Sequence, residues 1–303
     1  MNNSLFTTLF IIFTTIIIVS CGETTTTENN TKNDNSTSQH QKVIDSNANV
    51  MFSINGSIFS IPSPIQTAIF ISGSGAEFNS SAINSHENAD NYSSDFYKAI
   101  NLGIYGADLS YTTIYEDNNL SLKYLAIIRD IASDIGLENS FDETLINRFS
   151  SNSNNKDSML VFVSEAFTNA DNYLKSNDKN NEAALILTGG WLEAMNILAV
   201  SYLDTKNTDI KDRIAQQKNT LLTVVEMLEK LGTSDDYMDL ASELYELYQY
   251  FEGIEYSYEY VAPVTDGKNR VTNINSKQMI DMSDEQLNNI INKLTNIRDE
   301  ITI

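Results

Sequence analysis

Apolar residues recur at spacings of three and four through most of the chain from residue 64 onwards, which is the period of an amphipathic helix. No proline lies between Pro64 and Pro263, so this interval lacks the residue that most strongly interrupts helices. The pattern predicts helices at 64–78, 91–117, 119–135, 141–150, 157–176, 181–203, 208–231, 235–253 and 284–302. The predicted fold class is therefore all-α, either a multi-helix bundle or stacked helix pairs.

A period of two appears at two places, and each predicts a β-hairpin. Apolar residues alternate on both sides of Asn55-Gly56, a pair that suits the positive φ angles of a tight turn. This predicts a small N-terminal hairpin. Between residues 254 and 275, tyrosines alternate with polar residues, and Asp266-Gly267 offers a turn back toward Val271. A second hairpin is predicted there.

The last predicted helix shows the clearest apolar stripe. Ser283 and Gln286 have the spacing of a capping box at its start. The stripe consists of Leu287, Ile290, Ile291, Leu294, Ile297 and Ile301. We expect this helix to pack across the body and close it.

An uncharged, mostly apolar stretch of fifteen residues, Leu5 to Val19, lies near the N-terminus. It has the length of a signal h-region and is shorter than the roughly 20 residues that span a bilayer. The residues Ile18-Val19-Ser20-Cys21, which begin inside this stretch and end just after it, resemble the lipobox of bacterial lipoproteins. The resemblance implies lipid attachment at Cys21 and cleavage before it. The predicted organisation is a signal peptide at 1–20, a disordered tether at 21–49 and a single helical domain at 50–303.

The predicted tether is rich in Thr, Asn and Ser, a composition that does not form a packed core. As a flexible coil, such a segment has a root-mean-square span of about 30 Å. By resemblance to lipoproteins of bacteria with two membranes, Gly22 after the cysteine favours the outer membrane, since it is not the aspartate associated with inner-membrane retention. Whether the body faces the periplasm or the exterior is left open.

Three short runs resemble segments of helical lipoproteins of Bacteroidota, which are largely uncharacterised. The runs are Ile61-Pro62-Ser63-Pro64-Ile65, residues 102–111 and Gly189-Gly190-Trp191-Leu192-Glu193. The resemblance supports the helical fold and implies no activity.

The net charge of −22 excludes several partners. A chain with this charge is repelled by nucleic acid and by anionic lipid surfaces, so no nucleic-acid partner is expected and the membrane anchor has to be the lipid on Cys21. With two histidines and one cysteine, the chain lacks the residues for a zinc site or a Ser-His-Asp triad. No metal site and no cofactor are expected.

The helix from Ala184 to Leu203 is apolar on every face and contains one charged residue, Glu193. This predicts a buried central helix in preference to a membrane span, and a buried carboxylate requires a partner or a proton. The helix around residues 101–108 carries small residues that permit close packing. If the two helices pack together, five residues can converge: Asn101, Asp108, Tyr111, Trp191 and Glu193.

Two interpretations of these five residues remain open. One is a small-ligand pocket lined by carboxylates and aromatic rings. The other is an internal hydrogen-bond network that holds the helices in register, with Lys123 or Arg129 as the basic partner.

A second candidate site is an acidic, tyrosine-rich surface between residues 230 and 268. The tyrosines that fall outside the predicted buried stripe are Tyr245, Tyr250, Tyr256, Tyr258 and Tyr260. Exposed aromatic rings beside carboxylates suit a sugar ring or a cationic partner, and the alternative is a solvated acidic face.

These features predict a lipid-anchored helical protein that binds an envelope protein, a carbohydrate or another small ligand. The alternative function is a glycoside-type hydrolase that uses Asp108 and Glu193 as paired carboxyls. Carboxyls about 5–10 Å apart in an open cleft would favour the enzyme, whereas buried carboxyls paired with a base would argue against it.

Overall fold

The computed structural model describes residues 49–54, 57–138, 143–152, 155–232 and 234–302. The predicted signal peptide, Cys21 and nearly all of the predicted tether lie outside these residues. So do Asn55-Gly56, the turn of the predicted N-terminal hairpin. Asn49, the last residue of the predicted tether, is the first residue of a strand.

The described residues contain ten α-helices and three pairs of short strands. The helices are α1 Pro64–Gly73, α2 Asp95–Ile114, α3 Asn118–Asp134, α4 Glu143–Ser151, α5 Lys156–Ser176, α6 Asn180–Thr205, α7 Thr208–Ala215, α8 Lys218–Leu231, α9 Asp235–Tyr250 and α10 Asp284–Thr302. The strands are β1 Asn49–Ile54, β2 Ser57–Pro62, β3 Glu255–Glu259, β4 Val264–Asp266, β5 Val271–Asn273 and β6 Lys277–Asp281. The fold is all-α, as the sequence predicts.

Helix α6 lies at the centre of the fold because it has no polar face to present to water. It packs most extensively against α2 and also contacts α1, α5, α7, α8 and α10. Its length and hydropathy would allow it to cross a membrane, but 83% of its most apolar window is buried inside the protein. The prediction of a buried central helix is confirmed.

Close packing of α2 on α6 depends on glycines that face each other. A Cβ on Gly103 would overlap the carbonyl oxygen of Ile186, and a Cβ on Gly189 would overlap that of Ile100. Only a residue without a side chain lets the two backbones approach this closely. This contact brings the middle of α2 against the middle of α6, where the candidate carboxyls lie.

Helix α10 closes the body, as predicted. The six residues of its apolar stripe are all buried, and it contacts α2, α6 and α9. The capping box is present: Ser283 N donates to Gln286 Oε1 at 3.0 Å, and Gln286 N donates to Ser283 Oγ at 3.1 Å. Sequence pattern and local capping therefore agree on this helix.

One predicted helix, 208–231, is wrong, because the chain forms α7 and α8 with a break at Gln216-Gln217. Both glutamines adopt the right-handed helical region, with φ of −61° and −79°. Any residue accepts this conformation, so no glycine or proline marks the break in the sequence.

The first predicted helix, 64–78, ends five residues early in the structure, at Gly73. Gly75 follows at a φ of 82°, a left-handed conformation that a helix does not continue through.

The four strands after α9 form a projecting two-stranded ribbon, which we call the β-arm (residues 255–281). β3 pairs antiparallel with β6, and β4 pairs antiparallel with β5. The turn is made where Asp266 accepts hydrogen bonds from the backbone N–H groups of Lys268 and Asn269. The predicted second hairpin, with its turn at Asp266-Gly267, is confirmed. At the other end of the chain, β1 pairs antiparallel with β2, from Ile54↔Ser57 to Asn49↔Pro62.

Candidate functional site

Two acidic side chains lie in the interface between α2 and α6, and both are completely buried. Asp108 comes from α2 and Glu193 from α6, and the side chain of neither is exposed to solvent. Burial of two carboxyls is unfavourable unless their charge is neutralised or removed. The surrounding side chains show how each carboxyl is accommodated.

Glu193 forms a two-point ion pair with Arg298 of α10. Arg298 Nε donates to Oε2 at 2.9 Å, and Nη2 donates to Oε1 at 2.9 Å. This fork geometry is the strongest arrangement of an arginine and a carboxylate. Burial opposes the charge of Arg298, but the Glu193 carboxylate outweighs it, and the pKa of the guanidinium is raised. Arg298 therefore keeps its charge inside the protein, directly against the Glu193 carboxyl oxygens.

Asp108 has no base of its own and is accommodated differently. Its Oδ2 accepts a hydrogen bond from the backbone N–H of Asn84 at 3.2 Å, whereas Oδ1 has no hydrogen-bond donor in reach among the described residues. Burial, and next the neighbouring Glu193 carboxylate, raise the pKa of Asp108 well above its usual range. A protonated Asp108 can donate a hydrogen bond to the carboxylate of Glu193. An ionised Asp108 could not donate this bond, and its own carboxylate would remain partly unpaired.

With this assignment the three groups carry no net charge. Asp108 is neutral, Glu193 is negative and Arg298 is positive. Like carboxyls in contact avoid repulsion by sharing one proton, and the arginine neutralises the charge that remains.

Asn84 connects this cluster to the loop before α2. Its side-chain amide donates to Tyr92 Oη at 2.9 Å, its Oδ1 accepts from Asn88 at 2.9 Å, and its carbonyl accepts from Tyr124 Oη at 2.7 Å. Asn84 is itself 1% exposed. Sequence analysis missed this residue, because an asparagine in a polar loop carries no periodic signal that distinguishes it from its neighbours.

Asn101 joins the same network to the last turn of α10. Its amide donates to the carbonyls of Tyr97 and Ile301, both at 3.0 Å. The carbonyl of Thr302 accepts from Asn88 at 3.0 Å and from Tyr92 Oη at 3.3 Å. The last carbonyls of a helix lack partners within the helix, so these side chains supply the bonds that α10 needs to end inside the protein.

Three buried tyrosines surround the cluster: Tyr92, Tyr105 and Tyr124. Burial is the main cause that raises the pKa of each of these phenols. They are therefore neutral hydrogen-bond donors at physiological pH, and none is poised to act as a base. We call Asn84, Tyr92, Asn101, Asp108, Glu193 and Arg298 the buried polar network.

The structure thus brings together three of the five predicted residues: Asn101, Asp108 and Glu193. Tyr111 lies elsewhere, where its hydroxyl accepts from the backbone N–H of Asn79 and its ring stacks on Phe78. Trp191 is buried and its Nε1 has no hydrogen-bond partner among the described residues.

The predicted basic partners of the carboxyls are wrong. Lys123 is exposed and lies 3.3 Å from His86 Nε2, and Arg129 pairs with Asp130 on the same helix. The actual partner, Arg298, is 105 positions from Glu193 in the sequence. Only the packing of α10 over α2 and α6 brings it into contact, which the helical periodicity of any one segment does not reveal.

The second predicted site lies on α9 and the β-arm. All five tyrosines are exposed there, from 39% for Tyr256 to 71% for Tyr260. Tyr256 also has a structural role, because its hydroxyl donates to the Ala215 carbonyl at 2.7 Å. This hydrogen bond ties the base of the arm to the body. Part of the acidic face is also paired, since Lys293 of α10 contacts Glu243 and Glu246 of α9.

The β-arm also exposes aliphatic side chains that sequence analysis did not single out. Val264, Val271, Ile274 and Met279 are 49–74% exposed. Within the described residues, most of the large apolar side chains that reach solvent lie on the arm. Among the described residues, no further strand pairs with either edge of the ribbon, because each of its sheets has two strands. An alternation of apolar and polar residues in a short segment does not itself indicate whether either face is covered.

No group of three or more His, Cys, Asp and Glu side chains in the described part of the chain is arranged to hold a metal ion. Comparisons with protein-family models, with curated proteins and with solved structures find no match to this chain.

Proposed function

We propose that this protein is a lipid-anchored, non-catalytic module of the bacterial cell envelope, in the outer membrane, that binds a basic protein partner through its β-arm. The observation that carries the proposal is the concentration of exposed tyrosine and aliphatic side chains on a ribbon with two free edges. The anchor is the lipid on Cys21, inferred from the lipobox, and the tether gives the body room to reach a partner.

The state of the two carboxyls supports a non-catalytic role. A glycoside-type hydrolase needs two carboxyls that face a substrate, one as an acid and one as a base or nucleophile. Asp108 and Glu193 are fully buried, and Glu193 is paired with Arg298. These are the features that argue against the hydrolase alternative for this pair of residues.

The β-arm has the properties of a surface that pairs with an extended segment. A two-stranded ribbon alone in water is at best marginally stable, and its edges present unpaired backbone N–H and C=O groups. An extended partner strand would satisfy one edge and cover side chains such as Tyr258 and Ile274. Main-chain bonds would supply affinity, and the side chains on the two faces would supply specificity.

Charge decides the kind of partner. The chain carries a net charge of −22, so a second copy would be repelled, whereas a basic segment would be attracted. Glu255 and Glu259 lie on β3, at the base of the arm. A basic partner would meet both carboxylates and exposed tyrosine rings, which bind cations well.

The anchor is tested by labelling cells that express the full chain with radioactive palmitate and separating their membranes. We expect label and outer-membrane association for the native chain, and loss of both for Cys21→Ala. A Cys21→Ala protein that remains in the outer membrane would contradict the lipid anchor.

The binding surface is tested with a photo-crosslinking amino acid in place of Ile274, in the native envelope. Leu203 is the matched control position, because it is an exposed apolar residue (44%) on α6, outside the arm. We expect a discrete crosslinked protein at Ile274 and none at Leu203, with a yield that falls as salt is raised.

A shortened arm completes the test. Tyr258 and Gln278 are register partners, so residues 259–277 can be replaced by an Asn-Gly turn that joins them. We expect this variant to fold and to lose the partner that a probe placed on Tyr258 captures when the arm is intact. An unchanged complex, a second copy of this chain, or a partner with an acidic contact segment would each contradict the proposal.

A further inference from the structure

The two longer strands of the β-arm differ in charge. β3, Glu255–Glu259, contains two acids and no base. β6, Lys277–Asp281, contains one acid and one base. The two strands pair with each other, so each forms one outer edge of the ribbon, and the described residues add no third strand to either edge. A strand that joins the ribbon therefore meets two negative charges at the β3 edge and no net charge at the β6 edge.

The alternation of side chains gives β3 two different faces. Successive side chains of a strand point to opposite faces of the sheet. Glu255, Ser257 and Glu259 therefore share one face of the ribbon. Tyr256 and Tyr258 share the other face. One face of this strand is acidic and the other is aromatic.

Both faces of β3 reach solvent. All five of its residues are exposed. At the base of the arm the aromatic face turns toward the body, where the hydroxyl of Tyr256 donates to the Ala215 carbonyl at 2.7 Å. Two residues further along, Tyr258 is 63% exposed. A partner can therefore contact the carboxylates on one face and the ring of Tyr258 on the other.

We infer that the partner adds a strand to the outer edge of β3, and that this strand alternates basic residues with apolar or aromatic ones. The inference rests on the proposed function and specifies the edge and the sequence pattern. On the acidic face, the added side chains would meet Glu255 and Glu259, which lysine or arginine would neutralise. On the other face they would lie beside Tyr258, which an apolar or aromatic side chain would cover.

Strand addition differs from general attraction to an acidic protein. The net charge of −22 attracts any basic segment, and this attraction does not depend on the order of the residues in the segment. Strand addition does depend on that order, because a shift of one residue would move every basic side chain to the aromatic face. The order of residues in the partner segment is therefore the property to test.

The pattern is tested with the full chain and two fluorescent peptides of identical composition. One is Lys-Val-Lys-Tyr-Lys-Val-Lys, and the other is Lys-Lys-Lys-Lys-Val-Tyr-Val. Fluorescence anisotropy gives both affinities. We expect the alternating peptide to bind at least about tenfold more tightly, because only this peptide can place all its bases on the acidic face. Equal affinities, or no binding of the alternating peptide at millimolar concentration, would overturn the inference.

The edge is tested in the native envelope with a short diazirine amino acid in place of Ser257 or Met279. These residues are exposed register partners, one on β3 and one on β6. An added strand lies about 4.8 Å from β3 and roughly twice as far from β6, so the yield at Ser257 should be at least about three times that at Met279. Equal yields, or a higher yield at Met279, would overturn the edge assignment.

Glu255 and Asp281 offer a matched pair of charge reversals. They are exposed register partners on the two strands, and both are acids. Glu255→Lys should weaken binding of the alternating peptide by about tenfold, whereas Asp281→Lys should weaken it by less than about threefold, because salt screens the more distant charge more strongly. Equal losses would mean that only net charge matters, and would overturn the inference.

The failure of this inference is distinguishable from the failure of the proposed function. A basic partner captured at Ile274, with equal yields at Ser257 and Met279, would contradict the inference alone. The absence of a crosslinked protein at all three positions would contradict the proposed function, and the inference with it.

Discussion

The buried polar network and the β-arm are built from the same kinds of residue, tyrosines and carboxyls, and they differ in almost every physical property. In the network, Asp108 and Glu193 are fully buried and their charge is removed or neutralised. On the arm, Tyr258 and Tyr260 are more than 60% exposed, and no further strand in the described part of the chain pairs with its edges. Residue type alone therefore does not identify a functional site in this protein. What separates the two regions is whether tertiary contacts already satisfy the side chains.

The largest expected difference between the two regions concerns glycine. Gly103→Ala should destabilise the protein by at least about 3 kcal/mol or prevent folding, because the new Cβ would overlap the backbone of Ile186. Gly267→Ala, at the tip of the arm, should change stability by less than about 0.5 kcal/mol, since nothing lies within 4 Å of its Cβ. Urea denaturation followed by circular dichroism measures both. A Gly103→Ala protein of native stability would show that α2 and α6 are not packed backbone to backbone.

The second expected effect is the loss of the ion pair. Glu193→Gln should cost about 3–5 kcal/mol, because it leaves the mostly buried Arg298 without a counter-charge. The double variant Glu193→Gln, Arg298→Gln should recover part of that loss, since it removes the stranded charge.

Asp134→Asn is the matched control for this pair. It removes the partner of Lys98 at a salt bridge whose acidic side chain is 56% exposed, so it should cost less than about 1 kcal/mol. Equal costs for Glu193→Gln and Asp134→Asn would mean that Arg298 is solvated in solution.

The third prediction concerns the pH dependence of stability. As pH rises, a carboxyl in the core and a carboxyl on the arm should change the free energy of unfolding in opposite directions. The pKa of Asp108 is raised, so the native state keeps a proton that the unfolded chain loses above about pH 4. Its contribution to stability is full below that pH and falls as pH rises toward the raised pKa, by at most about 1.4 kcal/mol per pH unit. Asp108→Asn should reduce this fall in stability with rising pH.

At the tip of the arm, hydrogen bonds from Asn269 and Lys268 lower the pKa of Asp266. Its contribution is therefore present above about pH 4 and is lost as pH falls below that value. Asp266→Asn should leave the slope between pH 5 and 8 unchanged. Stability curves measured across that range for the native chain and the two variants check the comparison, and an unchanged slope in Asp108→Asn would mean that Asp108 is ionised.

The smallest expected effect is on the arm itself. Tyr258→Ser and Ile274→Ser should each change the free energy of unfolding by less than about 0.5 kcal/mol, because their side chains pack against little. Tyr105→Ser, in contrast, removes a completely buried ring and should cost about 3 kcal/mol or more. Thermal unfolding compares the three. A large loss in the arm variants would mean that these side chains pack against the body.

Much of the fold follows from local pattern. The apolar stripe of α10, its capping box, the all-round apolar character of α6 and the turn at Asp266-Gly267 were each recognisable in the sequence, because each depends on neighbours within about one or two helical turns. The break at Gln216-Gln217 was not recognisable, since both residues keep right-handed helical angles.

The candidate site was predictable only in part. A glutamate inside a wholly apolar helix indicates a buried carboxyl. Small residues on α2 indicate that this helix packs closely against α6. Together these two patterns predict that Asp108 lies near Glu193. Asn84 and Arg298 were not, because their roles come from contacts between segments far apart in the chain. The exposure of Ile274 likewise depends on which faces remain uncovered.

The sequence by itself determined the helical class, the central helix, the position of the β-arm and the expectation of a lipid on Cys21, since these depend on composition, short-range period and local motifs. Only the tertiary structure decided which acidic and aromatic residues are satisfied inside and which remain available at the surface. The physical reason is that desolvation and charge pairing depend on neighbours in space, and here a guanidinium supplied by the last helix neutralises a carboxylate in the middle of another.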